Sequence, residues 1–393
     1  MHPKQLLSCY PPQSLTTIID KPGIDTLHIY VDLKNVMTAL FVQEVVNEMV
    51  SKTQTMKTAD SFIFQSCLFY IGYWKEQAKQ RGLNVKIFFT TDVGRSNYHK
   101  AINRDYKKRR ELDPAKYGPT DIVLKEIRDK NFKLCEQICN KVKDTYFFCL
   151  EHLESDFLPY YLISRKFKDQ NNIFHIVCSN DKDLYQTLLL PNTVQIYKIK
   201  GVRNLLVKED MMFKFLKVGD TTPKNIAKKM RQISELDPHW ISVMMALTGD
   251  ETDDIPGLER VGPSTTLDML DKKELVEKVL GTYDEVIDRV NNDGKVFLED
   301  KVHMSQLPSK AWKTAIMKND LVTDSLKQIS FELLCKWLEK KNSTTKINYL
   351  KYIDKITSKE NISLIQTPQV FFNTLNFLED NMLTEDAINS LFL

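Results

Sequence analysis

With 393 residues, 42% hydrophobic and 27% charged, the chain is long enough for two or three packed units and too apolar to be mostly disordered. Its 55 basic and 52 acidic side chains leave a formal charge of only +3, which excludes a histone-like polycation and confines any nucleic-acid contact to local patches. The seven cysteines, an odd number without a Cys-x-x-Cys pair, suggest neither a disulfide framework nor a zinc knuckle and fit a reducing compartment.

Residues 1–24 read as an N-terminal extension in which Pro11 and Pro12 interrupt any secretory h-region. No run approaches the ~18 apolar residues of a membrane helix, the longest candidate being Ile241 to Leu247. The expected location is therefore the cytoplasm, a host's if the source is viral, or the nucleoid.

From residue 25 to 207, five short β-branched or aromatic runs read as buried strands: Leu27 to Val31, Val85 to Phe89, Tyr146 to Leu150, Ile173 to Cys178 and Val194 to Ile199. Segments with helical spacing, such as Val42 to Val50 and Phe62 to Lys79, lie between them. This alternation predicts an α/β fold, a mainly parallel central sheet flanked by helices on both faces. Ligands of such sheets bind outside the carboxyl ends of the strands.

Acids cluster at those ends. Asp32 follows the first run, Asp92 the second, Glu154 and Asp156 the third, and Asp181 and Asp183 the fourth. A single strand-end Asp is usually a helix N-cap, but four strands in succession ending this way are hard to explain by capping. From about Lys208 the strand patterns stop, and residues 208–327 read as a helical part. Its sharpest signal is Gly249-Asp250-Glu251-Thr252-Asp253-Asp254-Ile255-Pro256-Gly257, with Asp250 and Asp253 on one face if the turn is helical. Residues 328–393 read as a C-terminal helical extension with loops near Thr344, Thr345 and Ser358.

The fold can bring these eight carboxylates together. Two unit charges ~4 Å apart repel by about 4 kcal/mol at an effective dielectric of about 20, so the set needs counterions. Hard dications, Mg²⁺ or Mn²⁺, take oxygen ligands, whereas zinc prefers the His and Cys that these motifs lack. Two such ions suit phosphodiester hydrolysis, and the chain has neither a Gly-x-Ser-x-Gly elbow nor a Walker loop to support other chemistries.

Together, Tyr-Val-Asp32-Leu, Ile-Phe-Phe-Thr-Thr-Asp92, Glu154-Ser155-Asp156, Ser179-Asn180-Asp181-Lys182-Asp183 and the Gly249 to Gly257 motif resemble the structure-specific 5′ nucleases. That family includes flap endonucleases, phage 5′→3′ exonucleases and the 5′-nuclease domain of bacterial DNA polymerase I, and the resemblance runs from about Leu27 to Asp324. It implies a PIN-like core and a shell for two or more Mg²⁺ or Mn²⁺ ions made by Asp32, Asp92, Glu154, Asp156, Asp181, Asp183, Asp250 and Asp253.

The resemblance also gives roles to Arg95–Arg110, which holds seven basic residues and one acid. Tyr106-Lys107-x-x-Arg110 is similar to the family's motif at the base of a helical arch, expected here at about 95–144. Lys107 and Arg110 would contact the scissile phosphate, Tyr106 or Tyr98 would stack on an unpaired base, and Arg95, Lys100, Arg104, Lys108 and Arg109 would line the strand's path. The stretch around 255–270 resembles a duplex-gripping hairpin that would use Gly257, Arg260, Gly262, Ser264 and Thr265 on backbone phosphate, with a potassium ion in some relatives. Phe157, Asp254, Arg260 and Ser264 depart from the family pattern.

The implied activity is removal of flaps or primers in replication or repair, on DNA with 5′ ends, flaps or RNA primers. A monomer is expected, with a replication protein as a possible partner of the C-terminal extension. A PIN-like ribonuclease and a non-cleaving branch-binding protein are the competing readings.

Overall fold

The five apolar runs form strands in the computed structural model, which describes residues 19, 21–35, 59–108, 129, 132–133, 135–140, 142–199, 202–217 and 223–358. These are β1 (Thr26–Asp32), β2 (Asn84–Val93), β3 (Thr145–Glu151), β4 (Ile173–Cys178) and β5 (Thr193–Ile199). A sixth strand, β6 (Val202–Leu206), was not expected; it pairs antiparallel with β5. The order is β3-β2-β1-β4-β5-β6, and the first five strands are parallel. Strand order therefore reverses between β1 and β4, where such sheets open a crevice at their carboxyl ends.

Side chains alternating along the strands supply two apolar layers. Leu27, Ile29, Val31, Ile87 and Phe89 face α1 (Ala59–Lys79), burying Cys67, Ile71 and Trp74, together with Phe132, Cys135, Ile138 and Cys139. Tyr30, Phe88, Tyr146 and Phe148 face the other way, onto Leu158, Leu162 and helices from the far end of the chain. The predicted helix over Val42–Val50 lies outside the described residues.

The helical part has its own core. After α2 (Asn97–Ile102) come α3 (Lys208–Phe215), α4 (Pro223–Glu235), α5 (Ile241–Thr248), α6 (Pro263–Leu270), α7 (Lys273–Val279), α8 (Tyr283–Asn291), α9 (Lys310–Met317), α10 (Asn319–Ile329), α11 (Phe331–Glu339) and α12 (Thr344–Thr357), and that core is built mainly from α3 to α10. The expected boundary at 327 falls inside α10, and Thr344 and Thr345 are not loop but the first turn of α12, capped by the Ser343 side chain. Of the expected arch, residues 95–108 form α2 and a following turn; 109–128 lie outside the described residues.

The C-terminal helices are part of the sheet's second layer. Leu334, Leu338, Leu350 and Ile353 are buried against it. β3 is the sheet's edge, and α12 covers it: the Cys149 N–H donates to the Tyr352 hydroxyl at 3.0 Å, and the Tyr349 hydroxyl donates to the Glu151 carbonyl at 2.6 Å. Edge groups that would otherwise template aggregation are thus satisfied in cis. Arg165 adds ion pairs to Glu332 and Glu339 at 2.7 and 2.8 Å. Ile353, fully buried, should cost about 2–5 kcal/mol when cut to Ala. Thermal unfolding of Ile353→Ala should lower the transition of the whole protein; loss of α12 alone, with the main transition unmoved, would contradict this packing.

Candidate metal centre and its surroundings

Local hydrogen bonds fix the acidic loops. The Asp32 carboxylate, at the end of β1, accepts from the Asn35 N–H at 3.0 Å and from the Ser179 hydroxyl at 2.9 Å, tying the ends of β1 and β4 together. After β4 the Asp181 N–H donates to Ser179 Oγ and the Asp183 N–H to Asp181 Oδ1, a tight turn that presents both acids. Glu154 and Asp156 stand in the loop before the helical turn at Leu158, not at a helix start.

Asp250 caps a 3₁₀ turn, Glu251–Asp253, by accepting from the Thr252 N–H at 2.8 Å. Two glycines let this loop fold back on α5. A Cβ on Gly257 would lie 2.1 Å from the Thr248 carbonyl oxygen, and Gly249 has φ +71°. Gly257 therefore closes the loop against Thr248; the expected phosphate contact is not what its backbone position requires.

Electrostatic interactions connect all eight acids. Asp32 feels Asp181 and Asp92, Asp92 feels Glu154, Asp156 feels Glu154, Asp181 and Asp183, and Asp183 feels Asp253 and Asp250. Asp183, Asp250 and Asp253 offer carboxylate oxygens all within 4.8 Å of one another. Burial, with this repulsion added, raises Asp32 to about 7 and pushes Asp92, Asp156 and Asp183 above the usual carboxylate range.

Three ammonium groups answer this charge. Lys107 lies 2.7 Å from Glu154 and 3.3 Å from Asp253, Lys34 3.1 Å from Asp92, and Lys182 3.1 Å from Asp250. Burial disfavours the Lys107 cation, but Glu154, Asp253 and Asp156 outweigh it and hold its pKa well above the ordinary lysine value. Burial likewise opposes the Glu154 anion, yet Lys107 keeps that carboxyl below its usual range. Among the described residues, eight acids against three lysines still leave the cluster negative, and the Asp156 Oδ1 atom is buried without a hydrogen-bond partner. An all-oxygen donor set with an orphaned carboxylate oxygen fits hard dications.

The arch-base residues divide. Lys107 reaches the cluster, at φ +51° with its N–H donating to the Asp253 carbonyl. Tyr106 and Tyr98 do not stand open for base stacking. Tyr106 is 3% exposed and stacks face to face on His99, with centroids 4.3 Å apart, and Tyr98 is 7% exposed with its hydroxyl donating to the Lys327 carbonyl. Arg104 and Lys108 are exposed, the latter paired with Asp105, while Lys100 is partly buried and Arg95 donates to the Arg104 carbonyl. Arg109 and Arg110 lie outside the described residues.

In the hairpin, Gly262 precedes α6, which starts at Pro263, and the first-turn N–H groups of Ser264 and Thr265 have no partner within the helix. Arg260 is exposed and adopts φ +61°, the left-handed conformation that favours glycine.

Sequence reasoning missed Lys34, Asn35, Ser155, Ser179 and Lys182, whose side chains reach these acids or their turns. Their signal was adjacency: each lies within three residues of a strand-end Asp or Glu.

Asp32 generates a pH prediction for the metal-free protein. The folded chain keeps its proton up to about pH 7, whereas an unfolded Asp sheds it near pH 4. Its contribution to stability is thus fully present below about pH 4 and lost as pH rises through about 7. Asp32→Asn should melt close to the wild type near pH 4 and above it beyond pH 7. Excess Mg²⁺ should raise the wild-type transition much more than the variant's. A variant less stable than wild type at high pH without metal would refute the repulsion.

No family model matches the chain. It is 27% identical over 215 residues to DNA polymerase I of Bacillus subtilis, a match covering 55% of this chain and 21% of that protein. It is 24% identical over 268 residues to the 5′-3′ exonuclease of Mycoplasma pneumoniae, covering 67% of this chain and 79% of the relative, and 27% identical over 208 residues to that of Aquifex aeolicus, covering 53% and 58%. The chain thus spans about a fifth of the polymerase's length. Its fold matches a solved structure of the bacteriophage T5 flap endonuclease in complex with DNA and metal ions, at TM-score 0.54 and 15% identity, over 85% of this chain and all of that one. A zinc-bound T5 5′-exonuclease matches at the same TM-score, over 84% of this chain and 99% of that one. In sequence and in fold, the chain is similar to the 5′ nucleases.

Proposed function

We propose that this chain is a structure-specific 5′ nuclease that requires Mg²⁺ or Mn²⁺ and hydrolyses phosphodiesters at 5′ ends or flaps of DNA, or of RNA-primed DNA. One observation carries the reading: eight carboxylates from five separate parts of the chain, with the ammonium groups of Lys34, Lys107 and Lys182 among them, lie near one another at the carboxyl edge of a parallel sheet. Asp32, Asp92, Glu154, Asp156, Asp181, Asp183, Asp250 and Asp253 would hold the ions. When bound, two dications lower the pKa of an attacking water and neutralise the leaving oxygen of an in-line displacement.

The chain's own residues do the rest. Lys107, already aimed at the cluster, would exchange its carboxylate partners for a phosphate oxygen once dications neutralise them. Arg110 would join it, and Arg95, Lys100, Arg104, Lys108 and Arg109 would guide the strand. The N-terminus of α6 with Gly262, Ser264 and Thr265 would hold duplex phosphate, with or without a potassium ion among the hairpin's carbonyls, and exposed Arg260 would add charge there. These contacts read shape and backbone, so the substrate is set by structure rather than base sequence. No helix of the described residues is long and apolar enough to cross a membrane. A replication protein at the C-terminal residues is part of the same proposal, and Gln366 to Phe372 lies outside the described residues.

A labelled 5′-flap duplex tests the reading. Purified protein with Mg²⁺ should release the flap, and chelator or Asp250→Asn should abolish cutting while binding survives. Binding without cutting under any dication would favour a branch-binding protein, and cleavage confined to RNA would favour a ribonuclease. Lys107→Ala should slow cleavage by roughly 100- to 1000-fold with duplex affinity nearly intact. A variant that cuts at the wild-type rate would remove Lys107 from the mechanism.

A further inference from the structure

We propose that His99 is a positioning residue that holds Lys107 over the carboxylate cluster and ties it to the end of α10. The inference rests on the nuclease reading for its consequence, but its geometry is independent of substrate.

The last carbonyls of a helix have no intrahelical donor, and three successive ones at the end of α10 are each capped by a side chain from the core. The Tyr98 hydroxyl donates to the Lys327 carbonyl at 2.7 Å, His99 Nε2 to the Gln328 carbonyl at 2.8 Å, and Gln186 Nε2 to the Ile329 carbonyl at 2.9 Å. A carbonyl only accepts, so Nε2 of His99 carries the proton. Its Nδ1 then accepts from the Ser96 hydroxyl at 2.7 Å, and both edges of the ring are fixed. With the ring 3% exposed, it has one orientation.

What lies on that ring gives it a task. Tyr106 stacks on it nearly parallel, 14° between planes, and the Lys107 ammonium sits 5.0 Å from the Tyr106 ring centroid. The order is therefore Gln328 carbonyl, His99, Tyr106, Lys107, and then Glu154 and Asp253. The backbone of Lys107 is in the left-handed region, which a lysine does not favour, so surrounding contacts must hold it. Its own N–H donates to the Asp253 carbonyl, Asn103 ties the preceding turn to the same loop by donating to the Asp254 carbonyl at 3.0 Å, and the Tyr106–His99 stack fixes the neighbouring residue. Neither lining of a cleft nor surface charge explains a buried, doubly bonded imidazole here. Capping α10 alone would not require a parallel ring beneath Tyr106.

The test compares wild type, His99→Phe, Lys107→Ala and the double variant on the 5′-flap duplex. His99→Phe keeps a ring under Tyr106 and loses both hydrogen bonds. We expect its kcat to fall about 10- to 100-fold with KM unchanged, and the double variant to be no slower than Lys107→Ala alone. Losses that multiply, or a folded His99→Phe cutting at the wild-type rate, would overturn the inference. If that variant does not fold, Ser96→Ala removes the Nδ1 partner from outside the ring and should show the same split of kcat from KM. Should the wild type itself not cut, the nuclease reading fails, and melting of the same four proteins still decides this one. Non-additive melting losses between His99 and Lys107 sustain it, and additive losses end it.

Discussion

Repulsion between buried carboxylates is the constraint around which the structure is arranged. Acids at 32, 92, 154, 156, 181, 183, 250 and 253 occupy one edge of the sheet, and burial there makes Asp32, Asp92, Asp156 and Asp183 more costly to ionise. Such an arrangement persists only if other elements force the loops together. Ser179 bridging to Asp32, the reciprocal backbone pairing of Asp250 with Ile255, and the close Gly249–Gly257 approach supply that force. Stability is given up locally for a strongly negative pocket, the pattern expected of a site built to bind something positive.

That force originates far from the site. The end of α10 is fixed by Tyr98, His99 and Gln186, and the Ser325 hydroxyl donates to the Pro256 carbonyl inside the acidic loop. α11 and α12 then pack on the sheet and close its β3 edge. The last described helices are thus mechanically continuous with the loop that carries Asp250 and Asp253, so they act as scaffold and not as an appendage.

How much of this the sequence disclosed follows from the range of the interactions. Strands β1 to β5 are near-continuous apolar runs, because both faces of a parallel sheet are covered, and such runs are visible locally. The acids were legible because they follow those runs at once. β6 was not, since Val202–Leu206 includes Arg203 and Asn204 and lies at the sheet's end. Tyr98 and Tyr106 looked like stacking platforms because their burial depends on His99 and, far along the chain, on Trp337 and α10. The departures at Asp254 and Arg260 are the instructive cases. Both have positive φ, +57° and +61°, so the Asn and Gly that the family pattern favours there are the residues best suited to left-handed backbone.

The remaining step concerns how a polyanion approaches such a pocket. The whole-chain charge of +3 gives little steering, and among the described residues three lysines beside eight carboxylates leave the crevice itself repulsive to phosphate. Lys107 is already engaged with Glu154 and Asp253, so it cannot serve a phosphate until those acids have another partner. Under the proposed function, bound dications would be that partner, and the cluster would then no longer hold back either a phosphate or the ammonium group that His99 and Tyr106 hold beside it.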